Sequence, residues 1–496
     1  MITKSEKDSQ NTKIFSLFLL IHAMVWVIAP LFRINIPMDS AEAIVWGYEW
    51  TWGTYKHPPL SGWLAEIMFR VFKNPEISTY ILSQICILSG FVFIYKLACC
   101  FFDTNKALLC SIFLEGTIYF SLETPEYNVN ILSQAIIPAL IYFFYKSTNQ
   151  NKPSDWIMVG IFSGLAILTK YTNVVVILCM GLYLISTKNG RSQFRKHELY
   201  FAGSITVLIF LPHFLWLLKN DFYVFDYFAH RASPVTITCS GWIDNFKFPI
   251  KFILAQTGSA ILTLAMFALI YFKTQKEHRL KKQKPNSFLF FMGILPILIF
   301  VLISALGRIH LKSMWGYALV SLLPIILFYC FPIQLTKKTK NTGIISAFAV
   351  LFLFGSANIA ESLMSTGNAR LNGKELASEV KETWNKETGN KPLHYIAGWV
   401  WAVSTVAVYL PERPHVMFNH DFNKNPYIDK DDIDKKGAIV ITKDITWYNW
   451  AKKTFKRLSA PIIYESHTKN IYGKEKITPI YYGILKPLEE GETNAR

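Results

Sequence analysis

Long apolar runs separated by short polar segments dominate the first 360 residues of the chain. A helix that crosses a bilayer needs about 20 predominantly apolar residues, and this rule marks about eleven segments as candidate membrane spans. They lie near residues 14–32, 77–98, 106–122, 130–145, 155–169, 171–187, 199–218, 250–272, 287–306, 313–332 and 342–360. The pattern predicts an α-helical polytopic membrane protein, with residues 1–360 as its transmembrane domain.

The pattern changes after residue 360. Residues 371–387 have the spacing of an amphipathic helix and carry many charges, and helix-like stretches follow at 399–409 and 446–458. Short β-like runs alternate with them at 394–397, 415–418, 438–442, 462–464 and 477–485. Strands that alternate with helices indicate an α/β arrangement. We therefore expect residues 361–496 to form a small α/β domain outside the membrane.

Composition and charge narrow the class of protein further. Apolar residues make up 52% of the chain and charged residues 17%, with a mean hydropathy of +0.26. Soluble domains carry about 25% charged residues, so a disordered chain, a coiled coil and an ordinary soluble enzyme are excluded. The first 360 residues hold 31 basic and 17 acidic residues, whereas the last 136 hold 20 and 17. The excess lies between apolar runs without any nucleic-acid-binding motif, so we expect membrane lipids, and no nucleic acid, as partners.

The basic residues also predict an orientation. When the spans alternate from a cytoplasmic N-terminus, the clusters at 188–196, 273–284 and 337–340 all fall on the cytoplasmic side. Cytoplasmic loops are typically enriched in Lys and Arg. The first apolar run is longer than a signal-peptide core and precedes no small-x-small cleavage site, which predicts an uncleaved span. We therefore expect an inner-membrane protein with a periplasmic C-terminal domain.

With this topology, the polar side chains that chemistry requires gather on the outer side. The first outer loop combines Asp39, Glu42, Lys56 and His57 with several aromatic residues. Other outer segments contribute Glu126, Lys170, Arg231, Arg308 and His310. Plainer roles exist for each type of residue: aromatic rings form interfacial belts, long cationic side chains anchor helix ends, and Asp39 is a suitable helix cap.

Four segments carry a resemblance to a known family. The first loop reads Asp39-Ser-Ala-Glu42-Ala and then Trp52-Gly-Thr-Tyr55-Lys-His57-Pro-Pro-Leu. It resembles the first periplasmic loop of bacterial protein-mannosyltransferase-like enzymes, which are C-type membrane glycosyltransferases related to the lipid A aminoarabinose transferase. Segments at 164–172, 211–231 and 310–318 resemble further family motifs in the same order. The resemblance covers roughly residues 12–330.

The resemblance implies a C-type glycosyltransferase fold with about 11–13 transmembrane helices, a polyprenyl-phosphate-linked sugar donor and inversion at the anomeric carbon. Asp39 matches the family's first-loop acid and is expected to be the catalytic carboxylate that deprotonates the acceptor. Glu42 is the second catalytic candidate, as a rival for this role or as the group that orients Asp39 or helps to hold the acceptor. Fixed cations are expected to stabilise the departing phosphate. The candidates are His57, Lys170, Arg231 and Arg308, followed by Lys56 and His310. Those for the acceptor or sugar are Glu126, Tyr55 and Trp52.

The chain departs from the family in two places. It has Pro125-Glu126 where Pro-Asp is common, and Lys56-His57 where the aminoarabinose transferase has Glu-Lys. We predict no metal or other cofactor, although a divalent ion at His57 with Asp39 or Glu126 stays open. By analogy with the aminoarabinose branch, the expected acceptor is lipid A or lipopolysaccharide. A protein O-mannosyltransferase, a transporter or flippase of lipid-linked sugar, and a non-catalytic scaffold stay open as alternatives.

Overall fold

The computed structural model describes residues 4–150, 152–232, 244–281, 283–367 and 370–489. Up to residue 364 the described chain is almost entirely helical. The helices are α1 (Lys4–Ile28), α2 (Met38–Tyr48), α3 (Leu60–Phe72), α4 (Pro75–Ala98), α5 (Thr104–Ile112), α6 (Val129–Gln150), α7 (Pro153–Thr169), α8 (Val174–Ser186), α9 (Lys188–Gln193), α10 (His197–Lys219), α11 (Val224–Ala232), α12 (Asp244–Ser259), α13 (Ile261–Lys273), α14 (Ser287–Leu289), α15 (Leu295–Gly307), α16 (Leu323–Cys330) and α17 (Lys337–Met364). A single π turn, Phe290–Ile294, joins α14 to α15.

Six helical segments within the described ranges are long and apolar enough to cross a membrane. Two bent pairs raise this number to eight if each pair is one span: α12 with α13, bent by 58°, and the 3₁₀ segment Ser313–Val320 with α16, bent by 55°. Large apolar side chains such as Val207, Leu215 and Leu306 are more than half exposed on the helix surfaces, which suits contact with lipid tails. The chain is therefore a multi-pass membrane protein.

Within the described residues, not all of the eleven candidate segments form one helix that meets the criteria of length and composition. The segment near 106–122 is a nine-residue helix, α5, followed by two short 3₁₀ turns. The segments near 155–169 and 171–187 form α7 and α8, which have only 17 and 13 residues. At a rise of 1.5 Å per residue these helices fall short of a hydrocarbon core of about 30 Å.

The C-terminal residues form the expected mixed sheet, flanked by α18 (Gly373–Thr388), α19 (Val400–Tyr409), α20 (Lys430–Lys436) and α21 (Ile445–Thr454). Its strands are β1 (Tyr395–Gly398), β2 (His415–Phe418), β3 (Ala438–Thr442), β4 (Ile462–Lys469) and β5 (Glu475–Leu485), in the spatial order β2-β1-β3-β5-β4. β1 pairs in parallel with β2 and β3, and β5 pairs antiparallel with β3 and β4. All five predicted strands are present. Every residue of β3 is buried, and such an uninterrupted apolar run fits a strand whose sheet is covered on both faces.

Ion pairs attach this sheet domain to α3 and to the end of α2. The two terminal guanidinium nitrogens of Arg413, Nη1 and Nη2, donate to the buried carboxylate of Glu66 in α3, at 2.9 and 2.7 Å. The guanidinium also lies 4.5 Å from the ring centroid of Tyr48, in α2. His415, at the start of β2, contacts Glu49 at 3.0 Å. The sheet domain therefore lies against α2 and α3, on the same side of the helix bundle as the candidate site.

Candidate active site

Six of the predicted site residues line one cavity of about 230 Å³, called here the inner cavity. α2 supplies Asp39 and Glu42, and the loop that follows supplies the next two residues. The last two come from the junction of α7 with α8 and from the end of α11. The six side chains are those of Asp39, Glu42, Lys56, His57, Lys170 and Arg231. Segments separated by up to 192 positions thus converge on one small space that carries both carboxylates and cations.

Asp39 occupies the first turn of α2, where a negative charge is favoured by the helix dipole. Its carboxylate accepts a hydrogen bond from the side-chain amide of Asn128 at 3.1 Å. Its backbone N–H donates to Glu126 Oε1 at 3.1 Å. The residue at the N-cap is Pro37, which makes no side-chain capping bond. The capping role considered for Asp39 from the sequence is therefore wrong, and its carboxylate lines the cavity.

Glu42 lies one helical turn after Asp39 and faces the same cavity. Burial raises the pKa of Glu42 to about 7, although the Lys56 ammonium opposes this rise. Lys56 Nζ lies 2.6 Å from Glu42 Oε1. Burial by itself lowers the pKa of Lys56, but the Glu42 carboxylate more than offsets this and raises it overall. Lys56 therefore stays a cation, held largely by Glu42.

Lys170 interrupts the apolar sequence between α7 and α8 and is only 8% exposed. Its ammonium donates to Asn130 Oδ1 at 2.6 Å and to the Met314 carbonyl at 3.0 Å. Neither partner carries a formal charge, and burial lowers the pKa of Lys170 to about 7. An anion in the inner cavity would therefore restore the charge of this side chain.

His57 lines the inner cavity as predicted, but its charge differs from the prediction. Burial lowers the pKa of His57 to about 3, helped by the positive charges of Lys56, Lys170 and Arg231. The imidazole is therefore neutral at neutral pH. It can donate a hydrogen bond to a phosphate without adding a positive charge.

Three predicted residues do not reach the inner cavity. Arg308 ends α15 in a left-handed conformation, and its Nε donates to Asn245 Oδ1 at 2.8 Å. The His310 ring stacks on Phe248 with a centroid separation of 4.8 Å. Trp52 is 40% exposed and packs edge-on against Trp63. The bends of the chain after α15 and after α2 direct these side chains away from the inner cavity, so their assignment to its lining was wrong.

Glu126 and Tyr55 flank the inner cavity without being among its lining residues. The Glu126 carboxylate accepts a hydrogen bond from the backbone N–H of Asp39. Burial, together with the nearby charge of Asp39, raises the pKa of Glu126 to about 7. Tyr55 is 4% exposed and lines a second cavity of about 750 Å³, called here the outer cavity. Tyr227 lines both cavities, and its ring lies 5.9 Å from that of Tyr55. The two spaces are therefore neighbours that share an aromatic wall.

Comparisons with known proteins agree with this architecture. The family model described as dolichyl-phosphate-mannose-protein mannosyltransferase matches residues 56–216. The crystal structure of ArnT from Cupriavidus metallidurans bound to undecaprenyl phosphate superimposes with a TM-score of 0.58 at 13% identity. That superposition covers 96% of this chain and 99% of ArnT, and the apo state of ArnT gives the same values. The chain has the C-type glycosyltransferase fold.

A relative from Rhizobium johnstonii, the lipopolysaccharide core galacturonosyltransferase RgtB, is 23% identical over 318 residues. The match covers 60% of this chain and 61% of the relative, so it spans less than two thirds of that protein. The family match begins at Lys56 and includes Glu126 and Lys170 of the candidate site. The resemblance to protein-mannosyltransferase-like and ArnT-like proteins that the sequence motifs indicated is thereby confirmed.

The sequence analysis assigned no role to several residues in or beside the cavities of this C-type fold. Asn130 orients Lys170, Asn128 holds Asp39, and Tyr227 separates the two cavities. Asn128 lies two residues after Glu126, so its proximity to an assigned residue was a usable signal. Tyr227 carried none, because an aromatic residue in a membrane protein more often belongs to an interfacial belt. Within the described residues, no group of three or more His, Cys, Asp or Glu side chains is arranged to hold a metal ion.

Proposed function

We propose that this protein transfers a sugar from a polyprenyl-phosphate donor to an envelope acceptor, with inversion, at the periplasmic face of the inner membrane. One observation carries the proposal: the inner cavity places the Asp39 carboxylate in the same small space as Lys170 and Arg231. Such a site offers a base for an acceptor and cations for a phosphate leaving group. The acceptor proposed is lipid A or lipopolysaccharide.

The relatives support each half of the reaction. ArnT, which has the same fold, was crystallised with undecaprenyl phosphate, a polyprenyl phosphate. RgtB is described as a lipopolysaccharide core galacturonosyltransferase, which points to an acceptor in the bacterial envelope. A lipid-linked donor also explains why a polar cavity is mounted on a helix bundle, because the leaving group stays in the membrane after transfer.

The side chains divide the chemistry between them. Asp39 accepts the proton of the acceptor hydroxyl while the oxygen attacks the anomeric carbon. The bond from that carbon to the phosphate oxygen breaks, and negative charge develops on the phosphate. Lys170 and Arg231 stabilise this charge, and the planar fork of Arg231 suits two parallel hydrogen bonds to phosphate oxygens. Glu42 holds Lys56 at 2.6 Å, so that Lys56 contributes its charge from a fixed position.

We assign the parts of the chain accordingly. Residues 1–360 form the transmembrane domain, and its helices provide walls of both cavities. Residues 361–496 form a periplasmic domain that covers the acceptor side. The contacts of Arg413 with Glu66 and of His415 with Glu49 support a fixed position for this domain. The N-terminus is proposed to be cytoplasmic because of the basic clusters described above.

A protein hydroxyl is the second candidate acceptor, because the matching family model describes protein mannosyltransferases. Mass spectrometry of lipid A, lipopolysaccharide and envelope proteins from a strain lacking the gene separates the two. We expect one sugar residue to disappear from the lipid A or lipopolysaccharide fraction and to return when the wild-type gene is restored. Loss of a sugar from proteins alone would favour the second candidate, and an unchanged envelope would count against both. A transporter of lipid-linked sugar would show no transfer by the purified protein.

A further inference from the structure

The outer cavity has the composition of a carbohydrate site. The turn between α10 and α11 and the start of α11 form one wall, with Asp221, Tyr223 and Asp226. The sheet domain forms the opposite wall, with Asp421 and Phe422. Carboxylates accept hydrogen bonds from sugar hydroxyls, and flat aromatic rings pack against the apolar faces of sugar rings. At about 750 Å³ the cavity has the size of a typical small-molecule site.

Two buried hydroxyl groups of this cavity lack partners in the described part of the chain. The phenol oxygens of Tyr55 and Tyr223 are both inaccessible to solvent and make no hydrogen bond there. Tyr55 is only 4% exposed, so its hydroxyl was desolvated on folding without compensation. Native proteins rarely leave buried polar atoms unsatisfied, and those that occur call for a reason. Both rings line the outer cavity, so a small side-chain movement on binding would bring these oxygens into contact with a ligand whose hydroxyl groups supply the missing partners.

The charges of the two cavities differ in sign. The inner cavity sets Asp39 and Glu42 against Lys56, Lys170 and Arg231. In the outer cavity, Lys424 Nζ lies 3.3 Å from Asp421 Oδ2, so these two charges largely cancel. The carboxylates of Asp221 and Asp226 then share the cavity with Lys219 as the one remaining lysine of its lining. A phosphate group is repelled by such a surface, whereas an uncharged sugar ring is not.

The wall that the sheet domain contributes is rigid. Asn425 is fully buried; its side-chain amide donates to the carbonyls of Phe418 and Asp421 at 3.0 and 2.7 Å. Its side-chain oxygen accepts the Phe418 N–H at 3.0 Å. The Asp421 carboxylate accepts the backbone N–H of Asn423 at 3.0 Å. The segment that presents Asp421 and Phe422 is therefore built before any ligand binds, as a specificity surface requires.

We propose that the outer cavity binds the sugar part of a glycan acceptor, through the hydroxyl groups of one or two rings, and that the enzyme glycosylates a sugar hydroxyl of lipopolysaccharide and not a phosphate of lipid A. This assignment rests on the proposed function. It places the attacking hydroxyl beside Tyr227, which the outer cavity shares with the inner cavity that holds Asp39. It also gives the sheet domain a direct part in acceptor selection through Asp421 and Phe422.

The test uses the purified full-length protein in nanodiscs, with polyprenyl-phosphate-sugar lipids extracted from the deletion strain as donor. Two acceptors come from the same cells: intact lipopolysaccharide, and lipid A released from it by mild acid, which keeps the phosphates but lacks the core sugars. The variants are Tyr55→Phe and the double substitution Asp226→Asn with Asp421→Asn. Asp431→Asn, an exposed carboxylate in the first turn of α20, is the matched control. Thermal unfolding confirms that each variant is folded.

We expect transfer to intact lipopolysaccharide but not to isolated lipid A. The double variant should raise the KM for lipopolysaccharide at least about tenfold, because two hydrogen-bond acceptors are weakened, and Tyr55→Phe should raise it severalfold. The KM for donor should stay within about twofold in both, and Asp431→Asn should behave as wild type. An unchanged KM for lipopolysaccharide in the double variant would overturn the assignment of the cavity.

If the acceptor is a phosphate group, the double variant should change the acceptor KM in the opposite direction. Removing two negative charges would then lower the acceptor KM, and isolated lipid A would be glycosylated as well as lipopolysaccharide is. That result would overturn this inference and leave the proposed glycosyltransferase function standing. Transfer to neither acceptor by the wild-type protein would instead reject the proposed function, and the inference with it.

Discussion

Lys56 Nζ lies 2.6 Å from Glu42 Oε1, and both side chains are almost fully buried. This pair fixes one positive charge at the edge of the inner cavity and leaves two cations, those of Lys170 and Arg231, without a carboxylate partner in the described structure. Breaking a buried pair by removal of one partner is costly, so Lys56 is held firmly in place. The free cations are therefore the ones that we expect to respond most directly to a bound phosphate.

Arg231→Ala should weaken donor binding, because a guanidinium that holds a phosphate is lost. The expected increase in KM for the lipid-linked donor is about 10- to 100-fold, the range for hydrogen bonds to charged groups. Arg308→Ala is the matched control, because Arg308 has the same side chain but contacts Asn245 and is not among the residues that line the inner cavity. Steady-state kinetics with both variants check this prediction. Equal effects of the two substitutions would contradict the assignment of Arg231.

Donor binding should weaken as the pH rises through about 7. The pKa of Lys170 is lowered to about 7 by burial, so this side chain is cationic below that pH and becomes neutral above it. The donor phosphate is a diester with one negative charge throughout the range. Its KM should therefore increase between pH 7 and 8.5, by up to about tenfold per pH unit. Glu42 and Glu126, whose pKa values are also about 7, add repulsion in the same direction as they ionise.

Lys170→Met separates the contribution of Lys170 from that of the two glutamates. The variant should bind donor weakly at pH 6.5 already and should show a shallower dependence of KM on pH. Lys312→Met, in the outer segment before the Ser313–Val320 turn, should keep the wild-type profile. Identical pH profiles for wild type and Lys170→Met would remove Lys170 from the donor site.

Much of this architecture was predictable, for reasons that particular residues make clear. The strands β1 to β5 are short apolar runs bounded by turns, and local pattern alone marks them. Asp39, Glu42, Lys56 and His57 lie within 19 consecutive residues, so that their convergence needs little more than one helix and one loop. The predicted topology also grouped Lys170 and Arg231 with Asp39, and all three line the inner cavity.

What local pattern does not contain is the direction in which a distant segment faces. Arg308 and Arg231 were both predicted to lie in outer segments, but the left-handed turn at Arg308 directs only that side chain away from the inner cavity. The Arg413–Glu66 contact joins residues 347 positions apart and depends on how the sheet domain docks. The spacing of apolar residues indicates which face of a helix is buried. Contacts between distant segments, such as Arg413 with Glu66, depend instead on the angles at which helices pack, and no single segment encodes these angles.

Arg413→Met should destabilise the attachment of the sheet domain. The substitution leaves the fully buried Glu66 carboxylate with Arg70 as its remaining partner, at 2.7 Å, and removes a guanidinium that stacks on Phe69. Loss of one member of a buried ion pair costs about 3–5 kcal/mol. We expect a lower midpoint of thermal unfolding and faster proteolysis between α17 and β1. Arg457→Met removes an exposed arginine whose guanidinium donates to the Lys486 and Asp434 carbonyls within the sheet domain, so it should change neither measurement.

The proposed orientation predicts the behaviour of reporter fusions. A reporter after Lys340 should report a cytoplasmic location, because this residue belongs to the basic cluster at 337–340. A reporter at the C-terminus should report a periplasmic location, across the single span of α17. Alkaline phosphatase and green fluorescent protein fusions give complementary signals for the two sides. The reverse pattern would place the inner cavity on the cytoplasmic face and would contradict the proposed reaction.

The central claim, that Asp39 is the catalytic carboxylate of a lipid-linked sugar transferase, is tested most directly by Asp39→Asn. Asn keeps the size of the side chain and an oxygen that can accept the Asn128 amide hydrogen bond at the 3.1 Å position, but it cannot take up a proton. The measurement is the initial rate of sugar transfer to lipopolysaccharide by the purified variant. Our account predicts an unfolding midpoint close to that of the wild type and a rate lower by a factor of about 10²–10⁴, the usual contribution of a general base. A folded Asp39→Asn protein that transfers sugar at nearly the wild-type rate would contradict it.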